Sequence, residues 1–334
     1  MKLLKGLRLP NLAIVALNQY LLLWAILVPY YQFFKVKPQL TPLQFALLVL
    51  STMLVTGAGN IVNDIYDQAV DRINKPHKVW FQESDVPKVW RVYWIMNAIG
   101  WGIAWYVAID IDSWFLNFLY PLAAGLLFWY SADLKGRSWY GNLLIAFFCG
   151  MVNLIVLYGQ GYAGADFKLD FPTSNFIEPG LLGLVYNGPF PDYLAIQFAF
   201  ISYSIFAFIT TLIRELVKDL EDRAGDASQG MQTYPVKFGF FRAKWLLRKQ
   251  YRALLGLLTL FILILLFSGY IVGVLLAIGL LFLPALWIYR QVEQAATTAD
   301  FAKLSQMMKF FMLSGLLYLP IFSFIYFPIV IYET

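Results

Sequence analysis

Long apolar stretches separated by short polar ones dominate the chain, and the pattern recurs nine times. Each stretch approaches the length of about 20 residues that a helix needs to cross a bilayer. The stretches occupy residues 12–34, 43–62, 89–109, 113–130, 140–160, 192–213, 253–270, 271–290 and 310–331. They are too continuous for the alternating strands, about 10 residues long, of a membrane barrel. The pattern therefore predicts an all-α polytopic membrane protein, a bundle of nine transmembrane helices.

The composition of the 334-residue chain agrees with this interpretation and limits the chemistry. Hydrophobic residues make up 60% of the sequence, charged residues 13%, and the mean hydropathy is +0.64. We expect no cleaved signal peptide, whose apolar core would be shorter. The single Cys149 excludes an intramolecular disulfide, and the single His77 excludes a histidine metal site. Any metal is therefore expected to bind oxygen ligands, which favours Mg²⁺.

The positive charges are distributed unevenly between the two sides of the predicted bundle. If the N-terminus lies inside, all but three of the 25 Lys and Arg residues fall on one side. The exceptions are Lys35, Lys37 and Lys168. The positive-inside rule then predicts that the basic side is cytoplasmic. The pI of about 9.0 follows from this topology and favours contact with anionic membrane lipids; we expect no nucleic-acid partner. The long outer loop from Gly161 is expected to cap the bundle.

The second apolar stretch ends in the polar sequence NDIYDQAVDRINKP, residues 63–76. On a helix, Asn63, Asp67 and Asp71 advance only about 40° per step, so they lie on one face. Asn60 and Asn74 fall within the same arc, and Asp64 lies beside Asp71 on the helical wheel. Carboxylates at this spacing repel each other. We therefore expect a cation between them.

A second acidic cluster follows the sixth apolar stretch, in IRELVKDLEDRAGDASQG from residue 213. Its acidic residues again share one helical face, although Gly225 is expected to end the helix before the last of them. They are Glu215, Asp219, Asp222 and Asp226. Both clusters sit at the cytoplasmic ends of even-numbered spans, so they could face each other across a cavity. Two opposed carboxylate groups interleaved with Arg and Lys suit Mg²⁺ ions that bridge to a diphosphate.

Two other interpretations of the acidic clusters stand beside this one. A single acidic stretch after a transmembrane helix is usually a solvated loop. Matched periodicity in two clusters, with Asn60 and Asn63 near the membrane end of an apolar helix, argues for a bonded site instead. The clusters could alternatively be ion sites of a transporter. Transporter charges usually lie near the bilayer midplane, where these spans carry almost none.

The two clusters resemble the motifs of the UbiA family of intramembrane prenyltransferases. The family's N-x-x-x-D-x-x-x-D is present as Asn63, Asp67 and Asp71, in a form similar to the archaeal ether-lipid (digeranylgeranylglyceryl phosphate synthase-like) branch. Its D-x-x-D-x-x-x-D is present as Asp219, Asp222 and Asp226. A G-x-x-T-x-P sequence follows, as Gly230, Thr233 and Pro235. The resemblance covers nearly the whole chain and implies a single transmembrane prenyltransferase domain over residues 1–334.

Three shorter segments bear on the resemblance. The stretch Tyr130 to Lys135, followed by Gly141 and Asn142, resembles the family's Tyr/Lys diphosphate-binding stretch, with a spacing of five where four is commonly described. The N-terminal RLPN, residues 8–11, resembles the R-P-x-N of the ether-lipid, haem and chlorophyll branches. After Pro76 the family's usual R-P-x-x-S-G is replaced by HKVWFQES.

The resemblance implies a role for each motif in transfer of a polyprenyl group from an allylic diphosphate. The implied catalytic residues are Asn63, Asp67, Asp71, Asp219, Asp222 and Asp226. The implied Mg²⁺ ligands are the same aspartates together with Asp64. The implied substrate-binding residues are Asn11, Arg72, Lys78, Tyr130, Lys135, Lys218 and Lys237. Cationic groups and Mg²⁺ would neutralise the diphosphate as its carbon–oxygen bond breaks.

The acceptor is less constrained than the donor. The motifs similar to the ether-lipid branch favour a lipophilic, (geranylgeranyl)glyceryl phosphate-type alcohol. The alternative is an aromatic quinone precursor such as 4-hydroxybenzoate. We expect an integral protein of the inner membrane of a prokaryote, active on the cytoplasmic side in isoprenoid lipid biosynthesis, with no protein partner.

Overall fold

The computed structural model describes residues 3–34, 37–74, 79–160 and 192–326, and this part of the chain is almost entirely helical. The first half contains α1 (Leu3–Leu7), α2 (Leu9–Leu22), α3 (Val28–Phe34), α4 (Pro42–Asn74), α5 (Val86–Asp110), α6 (Trp114–Ala132) and α7 (Tyr140–Gly159). The second half contains α8 (Asp192–Ser228), α9 (Tyr234–Phe238), α10 (Phe240–Phe267), α11 (Ile271–Ala277), α12 (Leu283–Gln294) and α13 (Thr298–Tyr326). Two short strands, β1 (Arg137–Ser138) and β2 (Gln232–Thr233), complete the fold.

Nine helical segments within the described residues are long and apolar enough to span a membrane. This confirms the predicted all-α fold of nine spans, but several bounds differ from the prediction. The most informative are α4 and α8, which continue to Asn74 and Ser228. With 33 residues, α4 is about 50 Å long, whereas the hydrocarbon core of a bilayer is about 30 Å thick. Both helices therefore carry their acidic ends beyond the apolar layer.

The seventh and ninth spans also begin earlier than predicted. α10 begins at Phe240 because the segment RAKWLLRKQYR, although rich in charge, keeps the helix and buries Ala243, Leu247 and Tyr251 on one side. α13 begins at Thr298, where Asp300 accepts hydrogen bonds from the backbone N–H groups of Ala296 and Thr297. The outer loop from Gly161, predicted to cap the bundle, lies outside the described residues through residue 191.

Two spans contain a π-helical turn, at Leu23–Leu27 and Ile278–Phe282, each followed within two residues by a proline. Proline lacks an N–H donor and crowds the carbonyl four residues earlier, so the chain widens locally. In the second case Ser314 Oγ donates to the Leu280 carbonyl at 2.9 Å, which satisfies the group that Pro284 leaves without a helical donor. A freed backbone group inside a membrane needs such a partner.

The helices form a closed ring. α4 packs most extensively on α5, and α7 on α8; α13 contacts both α8 and α2, which joins the second half of the chain to the first. One apolar core lies among the first five spans and the first part of α8, and it includes Leu22, Phe45 and Phe200. A second lies among α8 and α10–α13. A third, smaller core lies between the C-terminal part of α4 and the start of α5 and includes Trp80 and Phe81.

Candidate active site

The first acidic stripe lies on α4, where it leaves the apolar layer. Asn63, Asp67 and Asp71 are all half-buried. Asn63 Nδ2 donates to Asp67 Oδ2 at 2.8 Å, and Lys135 Nζ forms an ion pair with the same oxygen. Asp67 is only 14% exposed, so this pair is partly shielded from water. The expected cation beside the α4 stripe is therefore a lysine from the loop that follows α6.

The second stripe lies on α8, which stays helical past Gly225. Asp226 is consequently on the helix, contrary to the expectation that Gly225 ends it. Asn142 Nδ2 donates to Asp219 Oδ2 at 2.6 Å, and Thr233 Oγ1 donates to Asp226 Oδ2 at 3.0 Å. Each of these two carboxylates is thus oriented by a neutral donor from another part of the chain.

Lys135 and Tyr130 connect the two stripes. Lys135 pairs with Asp67 on α4 and also lies close enough to Glu215 on α8 to interact with it electrostatically. The Tyr130 hydroxyl lies within electrostatic range of Glu215, Asp67 and Asp219. The tertiary structure therefore brings residues of the two acidic clusters together around Lys135 and Tyr130, at the same end of the bundle.

Short backbone pairings hold the loop that carries Lys135. β1 pairs with β2 in parallel, with Arg137 opposite Gln232 and Ser138 opposite Thr233. The loop after α6 is thereby fixed against the segment after α8. A Cβ on Gly141 would lie 3.0 Å from the Leu134 carbonyl oxygen, so α7 can begin this close to the loop only with a glycine there. These contacts place Lys135 between the stripes.

A third carboxylate lies one helical turn deeper on α8. Glu215 is 9% exposed and receives Arg214 Nη1 at 2.6 Å and Lys218 Nζ at 3.3 Å. A buried carboxylate requires such cationic partners, because an unpaired charge in this environment is costly. Lys218, a predicted phosphate contact, has Glu215 as its partner in this structure.

The other predicted site residues lie apart from the Lys135 contacts. Asp64 is bound by Arg8 and Trp80. Arg72 is exposed and forms an ion pair with Glu83. Lys237 is exposed, with its ammonium 5.4 Å from the Phe238 ring centre, and Asn11 is exposed at the start of α2. Asp222 is half-buried on α8, and Lys78 lies outside the described residues.

The acidic residues are not arranged as a preformed metal cage. Among the described residues, no three acidic, histidine or cysteine side chains form a group that could hold a metal ion. The carboxylates of Asp67, Asp219 and Asp226 instead bind different groups: Asp67 binds Asn63 and Lys135, Asp219 binds Asn142, and Asp226 binds Thr233. The spacing that placed them on common helix faces does not by itself bring three of them to one point.

Several contributors to the site were not selected as site residues from the sequence. Asn142 and Thr233 belong to family-like motifs that assign them no ligand, and Trp80 follows the polar segment without any periodic signal. Glu215 was assigned to the acidic face but not to the site. A side-chain donor that reaches a carboxylate about 77 residues away in the chain leaves no pattern in the local sequence.

Comparison with known proteins places this arrangement in a family. The sequence matches the UbiA prenyltransferase family over residues 21–315. A relative from Thermococcus sibiricus named digeranylgeranylglyceryl phosphate synthase is 30% identical over 202 residues, which cover 60% of this chain and 58% of the relative. The aligned part thus spans little more than half the length of that relative.

Two solved structures share the fold. One, described as giving structural and mechanistic insights into the biosynthesis of digeranylgeranylglyceryl phosphate synthase in membranes, has a TM-score of 0.62 at 17% identity and covers 96% of this chain and 97% of its own. Another, a UbiA homolog from Archaeoglobus fulgidus bound to GPP and Mg²⁺, has a TM-score of 0.52 at 16% identity, with 96% and 99% covered. The family match and the nine apolar spans make this an integral membrane protein. The chain belongs to the UbiA prenyltransferase family.

Proposed function

We propose that this protein transfers a polyprenyl group from an allylic polyprenyl diphosphate to a (geranylgeranyl)glyceryl phosphate-type alcohol and forms an ether. The observation that carries the proposal is the meeting of the α4 and α8 acidic stripes around Lys135 and Tyr130. The names of the relatives and the GPP-bound family structure support it. Family membership also argues against an ion-coupled transporter.

The donor set fits Mg²⁺, which the proposal requires. Both stripes offer only oxygen ligands, and a hard cation of small radius prefers these. Mg²⁺ usually binds through one or two carboxylates and completes its shell with water and phosphate oxygens, so a preformed cage of three carboxylates is not needed. The proposed ligands are Asn63, Asp67, Asp71, Asp219, Asp222 and Asp226. Bound there, Mg²⁺ would supply positive charge that neutralises the diphosphate.

The protein's own groups act on the leaving diphosphate and on the alignment of the carboxylates. Lys135 is the proposed direct phosphate contact, since its ammonium already lies between the two stripes. Asn63, Asn142 and Thr233 hold Asp67, Asp219 and Asp226 in fixed orientations. Preorganised charge of this kind stabilises the negative charge that develops as the allylic carbon–oxygen bond breaks. The acceptor oxygen then bonds to the allylic carbon and its proton is released.

The membrane environment completes the proposal. We place the site on the cytoplasmic side of the inner membrane of a prokaryote, because both stripes lie on the basic side of the bundle. The apolar tails of donor and acceptor would lie among the spans, where water is excluded from the allylic cation.

The test uses the purified full-length protein in lipid vesicles. Labelled geranylgeranyl diphosphate is incubated with geranylgeranylglyceryl phosphate or with 4-hydroxybenzoate, and products are identified by mass spectrometry. We expect an ether product with the first acceptor and none with the second. C-alkylated 4-hydroxybenzoate as the sole product would replace the proposal by the quinone-precursor alternative.

Metal removal provides the second arm of this test. Without a divalent cation the opposed carboxylates repel the diphosphate, so excess EDTA should abolish turnover and added Mg²⁺ should restore it. The measured quantity is the rate of diphosphate release. Undiminished transfer in excess EDTA would contradict the metal-bridged site.

A further inference from the structure

Asp64 is bound on both carboxylate oxygens by residues from outside its own helix. Arg8 Nη2 donates to Oδ1 at 2.6 Å, and Trp80 Nε1 donates to Oδ2 at 2.8 Å. The Asp64 side chain is 15% exposed. A guanidinium on one oxygen and an indole N–H on the other fix the orientation of this carboxylate and place a positive charge beside it, which disfavours a metal cation at the same group.

These three residues, which we call the Asp64 buckle, join three separate segments at the end of the bundle that carries the acidic stripes. Arg8 precedes α2, Asp64 lies on α4, and Trp80 precedes α5. Trp80 is 8% exposed and lies against Gly6, where any Cβ would come within 2.4 Å of the indole ring. The buckle therefore closes the N-terminal segment, α4 and the loop before α5 around one carboxylate.

Two neighbouring sides of α4 contact different parts of the molecule. Asp64 and Gln68 are one helical turn apart, and Gln68 Nε2 donates to the Phe81 carbonyl at 3.2 Å. This side of α4 thus receives the segment that contains Trp80. Asn63 and Asp67, offset by about 100° from Asp64 and Gln68, bond to each other and to Lys135. Asp64 and Gln68 therefore bind the surrounding segments, whereas Asn63 and Asp67 belong to the acidic stripe.

Arg8 connects the Asp64 buckle to the acidic stripes. It has a left-handed backbone conformation, with φ 53° and ψ 53°, which residues with a Cβ adopt uncommonly. Its guanidinium interacts electrostatically with Tyr130, as do the carboxylates of Asp67 and Asp219. The Arg8 side chain is 43% exposed, and a guanidinium has five N–H donors, of which the contact with Asp64 uses one.

We propose that Asp64 is a positioning residue that holds Arg8 beside the acidic stripes and fixes the loop before α5, and that it is not a Mg²⁺ ligand. The inference rests on the proposed function, since the effect of the buckle is on binding of the allylic diphosphate. Loss of the Asp64 buckle releases the Arg8 guanidinium from its position beside the acidic stripes. It therefore weakens binding of the donor while the ligand stripe stays intact.

The test compares Asp64→Asn with Asp67→Asn, which remove the same charge one helical turn apart. For Asp64→Asn we expect KM for geranylgeranyl diphosphate to rise at least about fivefold, with kcat within about threefold and the Mg²⁺ half-saturation within about twofold of wild type. A Mg²⁺ half-saturation raised tenfold or more would make Asp64 a ligand and overturn the proposal. A reduced active fraction with an unchanged KM would show that Asp64 is only a structural residue, and this result would also overturn the proposal.

A double-mutant cycle tests the buckle itself. Arg8→Gln changes a half-exposed residue, and Trp80→Phe keeps an aromatic ring against Gly6 while it removes the N–H donor. Each should raise KM in the same way as Asp64→Asn, and the double variants should show much less than additive effects. Additive effects would contradict a shared role. These variants keep the test valid if Asp64→Asn does not fold.

A binding measurement separates this proposal from the proposed function. Thermal stabilisation of the full chain by Mg²⁺ with inorganic pyrophosphate is recorded without any acceptor. Wild type and Asp64→Asn should be stabilised with the same Mg²⁺ midpoint, whereas Asp67→Asn should lose the response. If this pattern holds without prenyl transfer, the proposed reaction fails and the assignment of Asp64 stands. A shifted midpoint in Asp64→Asn alone overturns the assignment.

Discussion

At the scale of single residues, the carboxylates of the two acidic stripes differ in the side chains that bind them. Asp67 is held by a lysine and an asparagine, Asp219 by an asparagine, and Asp226 by a threonine. Hydrogen bonds that involve a charged group are roughly twice as strong as neutral ones. Each carboxylate is therefore fixed individually before any ligand arrives, and substitutions at each position should have separable effects.

The first residue-scale prediction concerns Asp67→Asn. The substitution removes the charge at the point where Lys135 and the proposed Mg²⁺ meet. We expect the transfer rate to fall at least about a hundredfold, equivalent to ~3 kcal/mol of transition-state stabilisation. The rate is measured under saturating donor in vesicles, together with the melting temperature to confirm folding.

Asp85→Asn is the matched control for charge at this membrane face. Asp85 caps the turn Glu83–Asp85 by accepting from the Gln82 N–H at 3.4 Å, and an asparagine oxygen can accept the same bond. Its salt bridge to Lys88 is long, at 3.7 Å, and largely exposed. We expect stability and rate within about 0.5 kcal/mol of wild type. Full activity of folded Asp67→Asn would refute the role of Asp67.

The second residue-scale prediction concerns the hydroxyl of Thr233, which is 5% exposed and donates to Asp226. Thr233→Val keeps the shape and removes the donor, so we expect a loss of about 1.5–3 kcal/mol in the free energy of unfolding, the typical contribution of a hydrogen bond to a charged group. Turnover should fall as well, because Asp226 loses the hydrogen bond from Thr233 that helps to orient it. Thr233→Ser retains the hydroxyl and should stay closer to wild type. Equal behaviour of the two variants would show that the bond is unimportant.

At the scale of elements, the site depends on how closely α7 approaches α8. Asn142 on α7 reaches Asp219 on α8, and further into the membrane Gly150 lies against the backbone of Ser204. Helix association in membranes relies on van der Waals packing between small residues, because lipid is as apolar as the side chains. The separation of these two helices therefore governs the geometry of the second stripe.

Gly150→Ala tests this close approach. The added Cβ would lie 3.0 Å from the Ser204 carbonyl oxygen, a backbone atom that cannot move alone. We expect a destabilisation of about 1–3 kcal/mol, measured by unfolding in detergent. Gly102→Ala is the control, since a Cβ there meets no atom within 4 Å on the exposed side of α5. Alanine has a higher helix propensity than glycine, so Gly102→Ala should leave the free energy of unfolding unchanged or raise it, whereas Gly150→Ala should lower it.

At the scale of the whole molecule, the prediction is topological and rests on the uneven distribution of Lys and Arg. On a background without Cys149, cysteine at the exposed positions Ser84 and Ser228 should be protected from an impermeant reagent applied to intact cells. Cysteine at exposed Lys37 should react. Both outcomes follow if the acidic ends of α4 and α8 face the cytoplasm. Labelling at Ser84 and Ser228 together with protection at Lys37 would show the opposite orientation of the bundle in the membrane.

The sequence was sufficient for properties that repeat along the chain. The apolar stretches determined the predicted spans, since hydrocarbon admits only helices and closed barrels, and these stretches are too continuous for barrel strands. The 3.6-residue period placed Asn63, Asp67 and Asp71 on one face, and the structure keeps this helix intact to Asn74. The motifs identified the family, which the match over residues 21–315 confirms. These inferences use only neighbours within a few turns.

Only the tertiary structure decided which groups meet across the bundle. Helix ends differ from the predicted bounds because a helix continues wherever one of its sides can pack. For example, α10 begins 13 residues before the apolar stretch, since Ala243, Leu247 and Tyr251 are buried. The wheel places Asp64 beside Asp71, yet the structure gives both oxygens of Asp64 to Arg8 and Trp80.

Pairing between distant segments explains this difference. The partners of Asp64 lie 56 and 16 residues away, and Lys135 lies 68 residues from Asp67. Such contacts depend on crossing angles, on a glycine that permits close approach and on a two-residue strand pairing. None of these leaves a periodic trace in the chain. The sequence by itself therefore determined the spans, the acidic faces and the family. The fold decided which carboxylate pairs with Lys135 and which one binds Arg8 and Trp80, because that choice depends on donors from distant segments.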